Sequence, residues 1–264
     1  MSPRRSVVPF TKASACGNDF LIIEGTAVSE KHADLTHRIC DRHNGVGADG
    51  VEWLWPAKGA HVEARLINAD GSEAEISGNG TRCVAAYLCA QRRRTAFVIK
   101  TGAGLKTCTL TGKNGSTYEF ETAIGVPEVG GSIAIATQFG EVDGIPVSTG
   151  NPHFVIFVDE FWPDWQRRSA EIQRVVGFKQ GINIELVIVR DRSNIDVRFY
   201  ERGVGETQSS GTGSSASAVA SITTGRARSP LRVHAPGGTQ EVRFEKEVFL
   251  RGPATLICHG EYFV

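Results

Sequence analysis

Among its six cysteines the chain has no C-x-x-C pair, and it lacks both an H-E-x-x-H and any Cys/His set at the spacing that holds zinc. A metal centre is therefore not expected. It has no P-loop and no Gly-x-Ser-x-Gly elbow around its serine-glycine segments, which removes P-loop nucleotide hydrolysis and the α/β-hydrolase nucleophile. No stretch approaches the roughly 20 apolar residues that cross a bilayer, so no membrane partner is expected. No apolar signal segment follows Arg4 and Arg5; together with unpaired cysteines this sets the expectation of a reducing, cytoplasmic location. Excess charge is missing too: 29 Lys+Arg balance 29 Asp+Glu, which gives no electrostatic reason to expect nucleic acid. The densest basic run, Arg92-Arg-Arg94, falls where a helix should end, and cations are favoured there by the helix dipole.

What is present is an ordinary apolar fraction, 41% of 264 residues, and 30 glycines. Many short β-branched segments between those glycines indicate a strand-rich, turn-rich protein with a sizeable core. Strands are expected at Phe20–Ile23, Gly50–Trp55, Val62–Ile67, Phe97–Lys100, Leu105–Leu110 and Thr117–Thr122. The texture repeats at Pro146–Ser148, His153–Val158, Ile184–Arg190, Ile195–Tyr200, Leu231–His234 and Glu241–Glu245. Helices are expected at Lys31–Asp41, Arg82–Gln91, Pro163–Val175 and Ser215–Thr223. The Gly- and Ala-rich stretch Ala123–Asp143 reads as the crossover between halves. That places one domain at 1–124, with a terminal strand at 255–264 available to complete it, and a second at 125–254.

One phrase occurs twice, half a chain apart: Glu73-Ala-Glu-Ile-Ser77-Gly-Asn-Gly-Thr81 and Glu206-Thr-Gln-Ser-Ser210-Gly-Thr-Gly-Ser214. Each copy has a hydroxyl residue, a Gly-x-Gly turn and then small and apolar residues, which reads as a buried helix beginning at the glycines. A helix start presents free N–H groups and partial positive charge, so two of them aimed at one point form a socket for a carboxylate or phosphate. The serines would stand beside that anion, an arrangement suited to proton transfer at the carbon next to a carboxylate. By contrast, Gly45-Val-Gly47-Ala-Asp-Gly50 matches the dinucleotide pattern only literally: a helix precedes it and a strand follows, the reverse of what the motif needs. No cofactor is expected from it. Taken by themselves, His153 reads as a structural histidine and Glu201-Arg202 as a surface ion pair.

Several segments together change those weights. Gly17-Asn-Asp-Phe20, Asp41-Arg-His43, Gly45-Val-Gly-Ala-Asp49, Asn68-Ala-Asp-Gly-Ser-Glu73, Gly78-Asn-Gly80 with Arg82-Cys83, Gly150-Asn-Pro-His153, Asn183-Ile184 and Tyr200-Glu-Arg-Gly203 occur in order along nearly the whole chain. In that order they resemble the diaminopimelate epimerases, cofactor-independent enzymes that invert one stereocentre of diaminopimelate, from L,L to meso, on the route to lysine. The resemblance implies an α/β (α+β) fold of two pseudo-symmetric domains, each a curled mixed β-sheet wrapped around a central helix, with the site in the cleft between. It implies a small-molecule amino-acid ligand, no cofactor and no metal; a homodimer is compatible with it. Asn18, Asn68, Asn151, Asn183 and Arg202 match residues that hold the substrate, Arg202 being able to clamp a carboxylate bidentately. Gly78, Asn79, Gly211 and Thr212 match the helix starts that receive the reacting carboxylate. His153 and Glu201 match residues that assist the two acid/base groups.

The departure lies at the centre. Where the family carries two cysteines, one removing the Cα proton and one delivering a proton to the opposite face, this chain has Ser77 and Ser210. A thiol ionises near ~8.5 and a hydroxyl nearer the ~15.7 of water, a gap of about 7 units or roughly 10 kcal/mol. A helix dipole offsets only ~1–2 kcal/mol of that, so serine as such is a very poor base. Cys83 reads as a buried structural thiol, and Cys16 stands near the matched Gly17-Asn18. Gly50 occupies a place where many relatives carry glutamine. The expectation is an epimerase-like isomerase impaired at its acid/base positions. Two alternatives stand beside it: a one-base isomerase or dehydratase of a related amino or hydroxy acid, and a non-catalytic amino-acid-binding homologue.

Overall fold

A computed structural model of the chain describes residues 7–175 and 181–264. It is a mixed α+β, sheet-dominated protein that divides into two units: the chain up to Thr122 together with Gly252–Val264, and Ala123–Arg251. The first half runs β1 (Val7–Ala15), β2 (Asn18–Glu24), α1 (His32–Ile39), β3 (Gly50–Trp55), β4 (Val62–Asn68), β5 (Glu73–Ala74), α2 (Gly78–Gln91), β6 (Ala96–Thr101), β7 (Gly104–Asn114) and β8 (Thr117–Gly125). There follow β9 (Glu128–Val129), β10 (Ile133–Thr137), β11 (Gly140–Ser148), β12 (Pro152–Phe157), α3 (Trp165–Val175), β13 (Asn183–Asp191), β14 (Asn194–Glu201) and β15 (Gly205–Thr207). The chain ends with α4 (Gly211–Thr223), β16 (Leu231–Ala235), β17 (Gly238–Phe244) and β18 (Val248–Phe263).

In the first unit the strands close a ring. β1 pairs antiparallel with β2 and with the end of β18, β2 lies parallel to β3, β3 antiparallel to β4, and β4 parallel to β6. Then β6, β7 and β8 follow as antiparallel neighbours, and β8 returns to β18. The ring encloses α2, whose Cys83, Val84, Ala85, Ala86 and Leu88 are buried among Phe20, Ile22, Leu54, Leu66, Phe97 and Phe120. A helix apolar on most sides has no water-facing stripe and must sit inside a core. Strand alternation then sorts β3: Leu54 faces α2, while Val51 and Trp53 face the other side, packed on Leu35 and Ile39 of α1. The Trp53 indole donates to Thr36 Oγ1 at 2.9 Å, so its one polar atom is satisfied in the core.

The second unit follows the same order. β9, β11, β12, β13, β14, β16, β17 and the start of β18 are successive neighbours, with β12–β13 and β14–β16 parallel as β2–β3 and β4–β6 are. α4 is buried among Val155, Val187, Ile195, Val197, Phe199, Val242 and Leu250, and α3 lays Trp165 and Ile172 against Phe154, Ile184 and Leu186. Each such side chain contributes roughly 1.5–3 kcal/mol when fully buried.

Three sequence expectations are corrected. The central helices begin at Gly78 and Gly211, at the glycines as the repeat implies and four residues before the ranges Arg82–Gln91 and Ser215–Thr223, because the capping serines and burial outweigh the poor helix propensity of glycine. The stretch Ala123–Asp143 is not a bare crossover; it holds β9, β10 and the start of β11. β1 was not expected, since Pro9, Lys12 and Ser14 break its apolar pattern.

Candidate active site

Each unit carries one capped helix start. Ser77 has extended backbone, φ −120 and ψ 123, and its hydroxyl oxygen accepts the Gly80 N–H at 3.0 Å. Ser210 does the same with φ −138 and ψ 126, accepting from Gly213 N at 3.1 Å. Both are N-caps, and in each the serine carbonyl also takes the first intrahelical bond, from Thr81 N at 2.8 Å and from Ser214 N at 2.9 Å. The glycines that follow keep side chains off the helix mouth and leave a positive dipole end suited to an anion.

Around the second start lies a polar cluster. His153, on β12 and in register with Asn183 of β13, is 1% exposed. Its Nδ1 is 2.7 Å from Glu185 Oε1 and its Nε2 2.9 Å from Asn151 Oδ1. Asn151 Nδ2 donates to Thr212 Oγ1 at 3.4 Å, tying the β12 start to the first turn of α4. Asn183 holds the loop after β14: its Oδ1 accepts the Arg202 N–H at 2.9 Å while its Nδ2 donates to Pro152 O at 2.9 Å. Arg202 itself is exposed, next to the half-buried Glu201. Burial pushes the Glu201 carboxyl up; a hydrogen bond with Ser210 and the charge of His153 pull it down, and Glu185 pushes it further up. Glu185 is fully enclosed and is likewise pushed up by burial, against the pull of His153.

The first unit holds its counterpart. Asn79 Nδ2 donates to Asn18 Oδ1 at 2.6 Å, and Asn18 Nδ2 donates to Asp49 Oδ2 at 3.3 Å. Behind them the buried Arg82 guanidinium donates to Asn79 Oδ1, to Gly78 O at 3.3 Å and to Pro253 O at 3.3 Å, with Cys16 Sγ at 3.8 Å. Asn68, at the end of β4, is in register with Gly50 and bonds Ser72 Oγ at 3.0 Å.

The sequence-derived residues thus fall into two half-sites: Asn18, Asn68, Ser77, Gly78 and Asn79 in one unit, and Asn151, His153, Asn183, Glu201, Arg202, Ser210, Gly211 and Thr212 in the other. Cys83 is buried within α2, and burial pushes its thiol far up. Sequence reasoning did not single out two buried carboxyls, Glu52 and Glu185. The repeat was the available signal: one separation along the chain carries Ser77 to Ser210, Gly80 to Gly213, Asn18 to Asn151, Gly50 to Asn183, Asn68 to Glu201 and Glu52 to Glu185. Among the described residues no group of three or more His, Cys, Asp or Glu side chains is placed to hold a metal ion, and no helix is long and apolar enough to cross a membrane. The Gly45–Gly50 segment lies between α1 and β3, the reverse of a dinucleotide turn.

A family described as diaminopimelate epimerase matches this chain over residues 10–126 and 145–257. The diaminopimelate epimerase of Caldanaerobacter subterraneus subsp. tengcongensis is 34% identical over 270 residues, 96% of this chain and 98% of that one. That of Pelotomaculum thermopropionicum is 35% identical over 274 residues, again 96% and 98%. Among solved structures, a hydroxyproline epimerase from Agrobacterium vitis with bound trans-4-OH-L-proline superposes with a TM-score of 0.72 at 16% identity, over 99% of this chain and 94% of that one. A phenazine biosynthesis protein of the PhzF family from Bacillus anthracis gives 0.73 at 15% identity, over 98% and 99%. At those identities the likeness to the solved structures is one of fold.

Proposed function

Because this chain belongs to the diaminopimelate epimerase family, we propose that it is an epimerase-type isomerase acting, without a cofactor, at the α-carbon of diaminopimelate or a close amino-acid relative on the cytoplasmic route to lysine. The observation that supports this reading most is the duplicated N-cap, Ser77 on Gly80 and Ser210 on Gly213. In this reading the α-carboxylate takes N–H groups from Gly78, Asn79, Gly211 and Thr212. Arg202 clamps the distal carboxylate, and Asn18, Asn68, Asn151 and Asn183 orient the amino-acid ends. One half-site removes the Cα proton and the other returns one to the opposite face. The electron pair left on Cα spreads into the carboxylate, where the helix starts stabilise the developing charge.

Glu201, hydrogen-bonded to Ser210 and held protonated more readily by burial, suits the proton-donating side. With serine in place of thiol the barrier is higher, so the enzyme is expected to be slow. Loss of the Cα proton of L,L-diaminopimelate in deuterated water tests this. Slow exchange in the native chain and faster exchange after Ser77→Cys plus Ser210→Cys are expected; absence of both binding and exchange in either protein rejects the substrate.

A second reading rests on the inequality of the halves. Asn68 stands where the other unit has Glu201, and Phe20 where it has His153; neither can carry a proton. One-sided proton transfer, giving an isomer of altered connectivity or a dehydrated product, follows from that. Product identification by NMR separates it from inversion, and calorimetric binding without any turnover marks a non-catalytic binder.

A further inference from the structure

The first unit has a proton acceptor of its own. Glu52 stands in β3 between its register partners Ile22 of β2 and Leu66 of β4, on the strand face that turns toward α2. It is 3% exposed, and among the described residues its carboxyl has no hydrogen bond or ion pair. A Cβ built on Gly80 would lie 2.0 Å from Glu52 Oε1 and 3.3 Å from Ser77 Cβ. The carboxyl and the capping serine therefore flank one point at the mouth of α2, where glycine alone leaves room. The other unit repeats the placement: a Cβ on Gly213 would lie 2.9 Å from Glu185 Oε1. There, however, the carboxyl is engaged by His153 at 2.7 Å, and Phe20 at the matching place offers Glu52 no such partner.

We propose that Glu52 is the proton-relay partner of Ser77, taking up the serine proton as the serine takes the substrate's. The proposal rests on the isomerase reading above and deepens it at one half-site. Ser77 Oγ already accepts from Gly80 N, which leaves its own O–H to be donated. In the step, the Cα–H bond breaks with its electron pair kept on Cα, and the proton passes to Ser77 Oγ. The former hydroxyl proton passes to Glu52, a carboxylate becoming a carboxylic acid, and the reverse step restores both. No free alkoxide forms, so the base strength in play is that of the carboxyl. Burial raises that carboxyl to about 8, close to the ~8.5 of the thiol the family uses. From α2 it faces the Cys83 thiol, which burial and Glu52 both push up against the pull of Arg82; its strand neighbours in register are uncharged.

Glu52→Gln tests the relay. Calorimetric binding of diaminopimelate should be retained, while exchange of the Cα proton falls by roughly 10²–10⁴ and the limb of the rate profile that rises near pH 8 disappears. Adding Ser77→Cys to that variant should bring exchange to the level of Ser77→Cys alone, because a thiol ionises without a carboxyl beside it; a merely structural Glu52 would cost the same factor in both backgrounds. Unchanged exchange in Glu52→Gln, or a ligand-binding double variant that falls short of Ser77→Cys alone by that factor, overturns the proposal. If the native chain neither binds nor exchanges diaminopimelate, the substrate reading fails by itself and the relay is decided without ligand. In Ser77→Cys, alkylation at position 77 followed by peptide mass mapping should set in at lower pH once Glu52→Gln removes the neighbouring carboxylate. Coincident profiles would show that the two groups do not communicate, and the relay would fall.

Discussion

Ser77 and Ser210 fill one structural position twice, each accepting the N–H of the glycine three residues on, at 3.0 and 3.1 Å. Whatever their part in chemistry, both are helix caps. Replacing a capping serine by alanine costs about 1 kcal/mol, and by glycine a few tenths. Ser77→Ala and Ser210→Ala are each expected to lower stability by about 1 kcal/mol in urea denaturation, and Ser→Gly at either place by less. Equal losses for alanine and glycine would mean that the oxygen is not capping.

Gly80 and Gly213 separate two kinds of crowding. Alanine in a helix interior gains roughly 0.5–1 kcal/mol over glycine, so the sign depends on what the new methyl meets. At Gly80 the nearest atoms it meets are the end of the Glu52 side chain and the Ser77 Cβ; at Gly213 it meets the Phe199 ring at 2.8 Å as well as Glu185. Gly80→Ala should destabilise the protein in the native background and stabilise it after Glu52→Ala, a coupling of about 1–3 kcal/mol. Gly213→Ala should be the more damaging of the two, with no recovery after Glu185→Ala, because the fully buried Phe199 ring cannot move aside. Additive effects at Gly80 would remove Glu52 from the mouth of α2.

Much of this fold is written in periodicity. The alternation of Val62–Ile67 and Ile195–Tyr200 and the long small-residue runs after each Gly-x-Gly give strands and buried helices at close to their observed places, and the Ser-Gly-x-Gly repeat gives both helix starts. What the sequence hides is facing. In Val51-Glu-Trp-Leu-Trp55 the pattern shows a strand, but nothing local tells that Glu52 turns toward a buried helix and Trp53 toward α1; the register of β2, β3 and β4 decides it. Glu185 is hidden in the same way inside Asn183–Asp191. The start of α2 was legible only through the repeat, because glycine at positions 78 and 80 argues against helix by propensity, and burial overrules it.

Stability should depend on pH through Glu52. Its folded pKa, about 8, lies above the ordinary glutamate value of ~4.3, so between those values the folded chain holds a proton that the unfolded chain has lost. Stability therefore falls as pH rises across that window and levels off above it. Glu185 and Glu201 are also pushed up and contribute with the same sign, so the informative quantity is the difference between the native chain and Glu52→Gln. That variant should be nearly equal to the native chain near pH 5 and more stable by a few kcal/mol near pH 8. A difference independent of pH would mean that the buried carboxyl ionises as freely as an exposed one.

The His153–Glu185 pair gives a contrasting case. His153 Nδ1 and Glu185 Oε1 are 2.7 Å apart with both side chains fully enclosed, and among the described residues the second oxygen, Oε2, has no hydrogen-bond partner. Burial raises the Glu185 carboxyl, and His153 is the group that pulls it back. Removing the imidazole leaves a carboxyl that is harder to ionise, together with a cavity. The cavity costs the same at every pH, whereas the uncompensated carboxylate costs only where it is forced to ionise. His153→Ala should therefore destabilise the protein more at pH 8 than at pH 5, by up to about 3–5 kcal/mol at the upper end, the range for a buried pair deprived of one member. Glu185→Gln, which keeps the shape and an acceptor for an imidazole N–H, should lose less. Denaturation of both variants at the two pH values checks this, and equal losses for His153→Ala at pH 5 and pH 8 would show that the pair is held by a neutral hydrogen bond, with no ionised carboxyl in the folded state.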